Sequence, residues 1–362
     1  MLEGEESKWS PETDKNEITY SNLNPGTYTF KVISRNADGV WNKNPVEYRF
    51  TILPPWWQTW WFRTFALVGL MILLYTIYRW RMSSVLKRQA LLEKTVAERT
   101  EEVVHQKEII QEKNKEIIDS INYAKRIQDA ILPSPKIVKE HLPNSFILYL
   151  PKDIVAGDFY FVEPLKEKTI FAAADCTGHG VPGAMVSVVC ANALKRTVKE
   201  FMIEDAGKLL DKTTEIVLET FEESETDVKD GMDISLCVLN YKDKKLQWSG
   251  ANNPLWIIRE GNCIEFAPDK QPIGKFDNRK PFTTHEIDLL KGDQVFIFTD
   301  GYADQFGGEK NKKFKLANMK SMFMEIHSWS CEEQMKEIKL RFENWRDGFE
   351  QVDDVCIIGL KI

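Results

Sequence analysis

Between Phe65 and Tyr78 the chain carries no charge, and this apolar run divides it into a part before a membrane and a part beyond one. Trp56, Trp57, Trp60, Trp61 and Phe62 lead into the run, and Arg79, Arg81, Lys87 and Arg88 come after it. Aromatic rings gather at membrane interfaces and basic side chains stay on the cytoplasmic side, so one spanning helix over 60–80 is predicted, with the C-terminal part inside. The strictly apolar core is short for roughly 30 Å of hydrocarbon. Counting from Trp60 supplies the length if Arg63 snorkels to the outer headgroups. A buried core helix is the competing reading. No cleavable signal peptide is read at the start, because Met1 is followed by acidic and polar residues.

The 362-residue sequence, 43% hydrophobic, has room for two or three units and at least one substantial core. A formal net charge of -7, with no basic stretch interleaved with aromatics, argues against a nucleic-acid partner. The six cysteines (Cys176, Cys190, Cys237, Cys263, Cys331, Cys356) show no C-x-x-C spacing, which points to reduced thiols in cytoplasm and to no zinc knuckle.

Before the span, Tyr28, Phe30 and Val32 alternate, Asn36 to Gly39 make a turn, and Val46, Tyr48, Phe50 and Ile52 alternate again. Residues 1–55 are therefore expected to be the last part of a larger β domain. After the span, 82–132 holds neither Pro nor Gly, and Val96, Val103, Ile110, Ile117, Ala124 and Ile131 recur at seven-residue spacing, a coiled-coil seam. Its second seam position is polar (Arg99, Gln106, Lys113, Ser120), so the coil is expected to be weak and easily re-registered, and a dimer through it is expected. Ile118, Ile121, Ala124, Ile127 and Ile131 then widen the stripe, as for docking on the downstream domain or on a second copy. A solvated spacer is the plainer reading. Pro133 and Pro135 end the helix.

From 143 to 362 short strands alternate with amphipathic helices. Strands are predicted at 146–150, 158–162, 169–174, 234–240, 245–249, 255–259, 262–266, 294–299 and 355–362, and helices at 184–201, 206–221, 316–327 and 331–345. Hairpin-spaced strands with segregated helices predict an α+β layered domain.

Four acidic positions share one pattern. Asp158 follows Gly157 at a strand start, Asp175 ends the run Ile170 to Ala174, Asp300 ends V-F-I-F-T, and Asp353 with Asp354 precedes V-C-I-I-G-L. Strand ends of one sheet can converge, and hard divalent cations take oxygen ligands, so these carboxylates, a backbone carbonyl and water make a candidate two-metal site. For any single Asp an ordinary turn is an equal reading.

The motifs A-G-D-F-Y, D-C-T-G-H-G-V-P-G-A-M, D-G-M-D-I-S-L, G-A-N-N-P-L, F-T-D-G-Y-A-D-Q-F-G-G and Q-V-D-D-V-C-I-I-G together resemble the metal-dependent protein phosphatase (PPM) superfamily in its sporulation-protein-E branch. The helix K-N-K-E-I-I-D-S-I-N-Y-A-K-R-I-Q-D-A-I-L-P resembles the linker of related sensor phosphatases. The N-terminal Y-S-N-L-N-P-G-T-Y-T-F-K-V and D-G-V-W-N resemble the three-tyrosine domain, an immunoglobulin-like module beside the membrane in bacterial sensors, here without its opening strand. The resemblance implies two packed antiparallel sheets flanked by helices. It also implies two Mn²⁺ or Mg²⁺ ions, with Asp175 bridging both, the Cys176 carbonyl on one, and Asp300 and Asp353 completing the second. Asp354 is the alternative to Asp353, and Asp158 acts at the pair directly or through water. The implied reaction is hydrolysis of phosphoserine or phosphothreonine by an activated water without a covalent intermediate. Implied partners are a phosphoprotein, commonly an anti-sigma-factor antagonist in this branch, and a bacterial inner membrane with the catalytic domain cytoplasmic.

An imidazole is a common proton donor to a leaving alkoxide, which makes His179 a candidate, though a structural role, the ring packing or hydrogen-bonding in the G-H-G turn, is favoured. Lys152 could contact phosphate, and an exposed lysine is the plainer reading. Asp233 and Asn252-Asn253 are assigned to substrate or loop geometry, and Trp345 and Gly348 to packing and a turn. Two other readings stand beside the phosphatase. A sensor histidine kinase is disfavoured because His105 is followed by Gln106 and no asparagine box is present. A non-catalytic docking platform is disfavoured because the acids are retained.

Overall fold

The computed structural model describes residues 1–222 and 230–362 and separates into two compact units, Met1–Glu108 and Ile109–Ile362. In the first unit, β1 (Leu2–Glu3), β2 (Gly26–Val32) and β3 (Val46–Ile52) form a three-stranded antiparallel sheet in that order. Tyr28 is buried, stacks on Phe50 and donates its hydroxyl to the Asn24 carbonyl at 2.7 Å, closing the N-P-G turn. Strand β1, which has no sequence signal, is two residues long, with Leu2 buried opposite Phe30.

Helix α1 (Trp60–Ile131) starts within the tryptophan cluster and is, among the described residues, the one helix long and apolar enough to cross a membrane. Val96, Val103, Ile110 and Ile117, the heptad seam, are all exposed in the single chain. Pro135 does not only end a helix. It occupies the first turn of α2 (Pro135–His141), where a missing N–H costs nothing, and the Ser134 hydroxyl caps Ile137.

The second unit continues through β4 (Ser145–Leu150), β5 (Phe159–Leu165), β6 (Lys168–Cys176), α3 (Gly180–Phe201), α4 (Ala206–Glu222), β7 (Met232–Asn240), β8 (Lys245–Ala251), β9 (Leu255–Arg259), β10 (Asn262–Phe266) and β11 (His285–Asp288). It closes with β12 (Gln294–Phe298), α5 (Gly301–Asp304), β13 (Phe306–Gly307), β14 (Lys312–Lys313), α6 (Leu316–Ile326), α7 (Cys331–Arg346) and β15 (Val355–Lys361). Two five-stranded antiparallel sheets result, ordered β10-β9-β12-β15-β4 and β11-β8-β7-β6-β5.

Period-two side-chain direction explains the layering. On β6, Ile170, Ala172 and Ala174 meet α3 and α4, whereas Phe171 and Ala173 point inward to the other sheet. On β12, Val295 and Ile297 point inward, and Phe296 and Phe298 meet α6 and α7. Each central strand is thus buried on both faces, which is why it reads as a continuous apolar run. The layers are helices, sheet, sheet, helices. The four-residue β11 gives no sequence signal because only Ile287 in it is buried.

At the start of α3 the backbone packs at glycine distances. Gly178 adopts φ +86°, and its carbonyl would lie 2.1 Å from a Cβ on Gly183 and 2.3 Å from one on Gly157. Gly183→Ala should therefore cost about 1–3 kcal/mol through overpacking despite alanine's better helix propensity. Gly69→Ala, whose Cβ meets nothing within 4 Å, is the matched control. Thermal unfolding followed by circular dichroism should show a lowered midpoint only for the first; equal midpoints would refute the close packing.

Candidate active site

The strand order brings acids from both sheets to one end of the sandwich. Asp175, near the last rung of the β6 ladder, is directly opposite Asp233 of β7. Asp158 precedes β5, Asp300 follows β12, and Asp353 and Asp354 precede β15. Two contacts join the sheets there. Thr299 donates its hydroxyl to Asp158 Oδ2 at 2.7 Å and accepts the Cys356 N–H at 2.9 Å. Asp354 accepts the Lys152 N–H on Oδ1 and the Gly157 N–H on Oδ2, both at 2.7 Å.

These bonds separate the adjacent acids that spacing alone leaves ambiguous. Both oxygens of Asp354 are engaged with backbone, and its side chain is buried. Asp353 is half-buried and lines a cavity of about 260 Å³ together with Asp175, Cys176, His179, Asp233 and Lys275. Asp158, 2% exposed, and the exposed Asp300 are outside this lining but near enough to feel the charges of Asp175 and Asp353 respectively.

Crowding shapes the electrostatics. Burial, and then the charges of Asp300, Asp353 and Asp233, push the Asp175 carboxyl up to about 8. Burial and then Asp175 hold Asp158 well above the usual carboxylate range, against the Thr299 hydrogen bond. Asp300 is raised by desolvation first and then by Asp304 and Asp353. Burial raises Asp233 also, although Asn252 donates its amide to it at 2.8 Å. Burial raises Asp354 too, and its two backbone donors only partly offset this.

An all-oxygen donor set whose members repel one another fits hard divalent cations. Among the described residues no three acidic, histidine or cysteine side chains form a closed metal cage, so the acids line a shared mouth rather than a finished shell. The Cys176 thiol is buried and its ionisation is pushed far up by burial, which leaves its carbonyl, beside Gly157, as the useful donor.

His179 is exposed at the cavity wall, and its Nδ1 sits 3.3 Å from Asp153 Oδ2. Lys152 binds Asp354 through its backbone, and its side chain is not part of the cavity lining. Trp345 packs on Phe314 and donates its indole N–H to Gln305 O. Thr299, Lys275 and Gln128 are placed at or near the site by the fold alone and are not foreseen from the sequence.

Gln128 is the one buried residue of α1. Its Nε2 donates to Ala156 O at 2.6 Å and to Ser187 Oγ at 3.0 Å, and its Oε1 accepts the Ala156 N–H at 3.1 Å. Ala156 is two residues from Asp158. The docked stripe is Ile121, Ala124, Gln128 and Ile131, while Ile118 and Ile127 are exposed.

Comparison with known proteins fits this geometry. A family model described as stage II sporulation protein E (SpoIIE) matches residues 166–362, and a Y_Y_Y domain model matches residues 1–53. The phosphoserine phosphatase RsbU of Bacillus subtilis is 22% identical over 255 residues, covering 68% of this chain and 71% of that protein. The histidine kinase P4 of Formosa agariphila is 34% identical over 103 residues, 28% of this chain and only 7% of the kinase. Among solved structures, the SiaA-PP2C domain of Pseudomonas aeruginosa superposes with TM-score 0.63 at 27% identity, covering 69% of this chain and 98% of that one. The PP2C phosphatase domain of SpoIIE from Bacillus subtilis shares the fold, with TM-score 0.50 at 17% identity over 60% of this chain and 63% of that one.

The raised acids set a pH dependence. Folded Asp175 keeps a proton that the unfolded chain, at the ordinary 3.8, has already released, so stability is lost as pH rises from there to about 8. With metal chelated, the unfolding midpoint should fall between pH 5 and pH 8, and should fall less in Asp175→Asn. Identical slopes would refute the coupling.

Proposed function

We propose, since this chain belongs to the stage II sporulation protein E (SpoIIE) family, that it is a membrane-anchored, divalent-metal-dependent protein phosphatase acting on phosphoserine or phosphothreonine in bacterial signalling. The observation that carries this reading is the convergence of Asp158, Asp175, Asp233, Asp300 and Asp353 from five strand ends of two sheets, with Asp175, Asp233 and Asp353 lining one cavity. Asp175, Asp300 and Asp353 would hold two Mn²⁺ or Mg²⁺ ions, with the Cys176 carbonyl as a further donor and Asp158 supporting them from below. Ions held there would lower the pKa of water and offset charge on the phosphoryl group.

The chain's own contribution is position. Thr299 fixes the Asp158 carboxylate, Asn252 fixes Asp233, and Asp354 holds the 152–157 segment against β15, leaving Asp353 turned to the cavity. A water between the acids would attack phosphorus as the serine or threonine oxygen departs, with no covalent enzyme intermediate. His179, exposed at the wall with Asp153 beside its Nδ1, keeps a structural rather than a catalytic role in this reading.

In this reading residues 1–55 lie outside a bacterial inner membrane, 60–80 span it, 82–132 pair with a second copy, and 143–362 are cytoplasmic. The substrate is a phosphoprotein, an anti-sigma-factor antagonist being the family's usual kind; RsbU, a phosphoserine phosphatase, supports the phosphoserine class. The exposed heptad residues of α1 support a dimer, and Gln128 gives the helix a contact through which to act on the site. The histidine-kinase alternative rests on a match to 7% of one kinase. The docking-platform alternative requires a site without metal.

The full chain in detergent should release phosphate from phosphoserine proteins only with Mn²⁺ or Mg²⁺. Asp175→Asn and Asp300→Asn should each lose about a hundredfold or more of kcat with unchanged circular dichroism. Metal-independent release, or full activity in both variants, would sink the reading.

Gln128→Leu keeps an apolar stripe but leaves the buried Ala156 N–H unpaired and its carbonyl with only the long Ser187 hydroxyl contact at 3.4 Å, at roughly 1–3 kcal/mol. Its metal affinity, read by calorimetry, should drop about tenfold while helix content stays constant. Wild-type metal affinity would show that α1 is not coupled to the site.

A further inference from the structure

One wall of the cavity comes from Pro272, Gly274 and Lys275, outside the acidic strand ends, and Lys275 is the one lysine or arginine in its lining among the described residues. The segment is anchored. Met232 and Ile273 exchange both backbone hydrogen bonds, at 2.9 and 2.8 Å, and a Cβ on Gly231 would lie 2.1 Å from the Ile273 carbonyl. Gln271, 4% exposed, accepts the Lys280 N–H at 2.9 Å and donates to the Lys280 carbonyl at 2.7 Å, closing the loop beyond Lys275. The Lys275 backbone is therefore set in place two residues past a strand-like pair that adjoins Asp233.

A phosphorylated side chain carries about -1.5 to -2 charges at neutral pH and must pass a mouth whose other charged walls are Asp175, Asp233 and Asp353. A lysine whose backbone is anchored at this wall is suited to meet it there as a point charge. Lys152, the other phosphate candidate, spends its backbone on Asp354 and does not line the cavity.

We propose that the Lys275 ammonium contacts the phosphoryl oxygens of the substrate at the cavity mouth and sets affinity for the phosphorylated side chain. The proposal rests on the phosphatase reading for its substrate class, and it is tested by binding as well as by turnover.

Inorganic phosphate is titrated calorimetrically into the full chain in detergent with Mg²⁺, comparing wild type, Lys275→Met, Lys275→Arg and Lys291→Met. Lys291 is exposed and precedes β12, at the end of that strand away from Asp300, so its variant removes the same charge at a distance. Lys275→Met should lose about tenfold or more in phosphate affinity and raise KM for a phosphoserine peptide equally with little change in kcat. Lys275→Arg should recover most of the loss, and Lys291→Met should match wild type. Unchanged phosphate affinity in Lys275→Met, an equal loss in Lys291→Met, or no phosphate binding by wild type would each overturn the assignment. Hydrolysis by a Lys275→Met variant with wild-type KM leaves the phosphatase reading standing and this one fallen. Lys275-dependent phosphate binding by a wild type that hydrolyses nothing does the reverse.

Discussion

Two buried carboxylates, Asp158 and Asp354, tie the sheets together at the end where the remaining acids meet. Burying a carboxylate is costly unless hydrogen bonds replace its water, and the two differ in how far that is done. Asp354 receives a backbone N–H on each oxygen and is in effect part of the main-chain network. Asp158 receives one hydroxyl, from Thr299, and faces Asp175, so its solvation is left incomplete. The first carboxylate is a structural clamp. The second is held under electrostatic strain that a cation would relieve, and the cavity above it is where such relief has access.

Much of this fold is legible in the sequence because its central strands are buried on both faces. Such strands appear as uninterrupted apolar runs leading to an acid, and the runs expected at 169–174 and 294–299 fall on the observed β6 and β12. The acids themselves are legible as strand-end residues. Which of Asp353 and Asp354 turns to the cavity is not, because neighbours in a strand point to opposite sides and spacing cannot say which side is which. The partners that decide it, Lys152 and Gly157, are about two hundred positions away in the chain. Lys275 is hidden for a related reason: its place depends on the pairing of Ile273 with Met232, and a lysine after a glycine in a polar stretch carries no periodic signal.

Residue type alone places the helix stripe out of phase. Ile118 and Ile127 extend the apolar pattern, yet both are exposed, and the docked face instead runs through Gln128. Hydrophobic pattern rewards any apolar residue near the right phase, whereas docking selects the residues that meet particular partners. A glutamine in the middle of a docked face breaks the pattern and so escapes it.

That glutamine also changes what the helix can transmit. A purely apolar stripe tolerates sliding, since one leucine-sized contact replaces another at little cost, and the seam above it is weakened further by Arg99, Gln106, Lys113 and Ser120. A buried amide bonded to both backbone groups of one residue accepts a single register, in the way a polar residue fixes register in a coiled coil. Displacing α1 by a turn would leave buried polar groups unpaired, at Ala156 and on Gln128 itself, so intermediate positions are disfavoured. Seating α1 in this register also ties down Ala156, two residues from the carboxylate on which the site's geometry depends. The contact that fixes the register of α1 thus lies two residues from Asp158, while the seam residues Val96, Val103, Ile110 and Ile117 further up the helix are exposed.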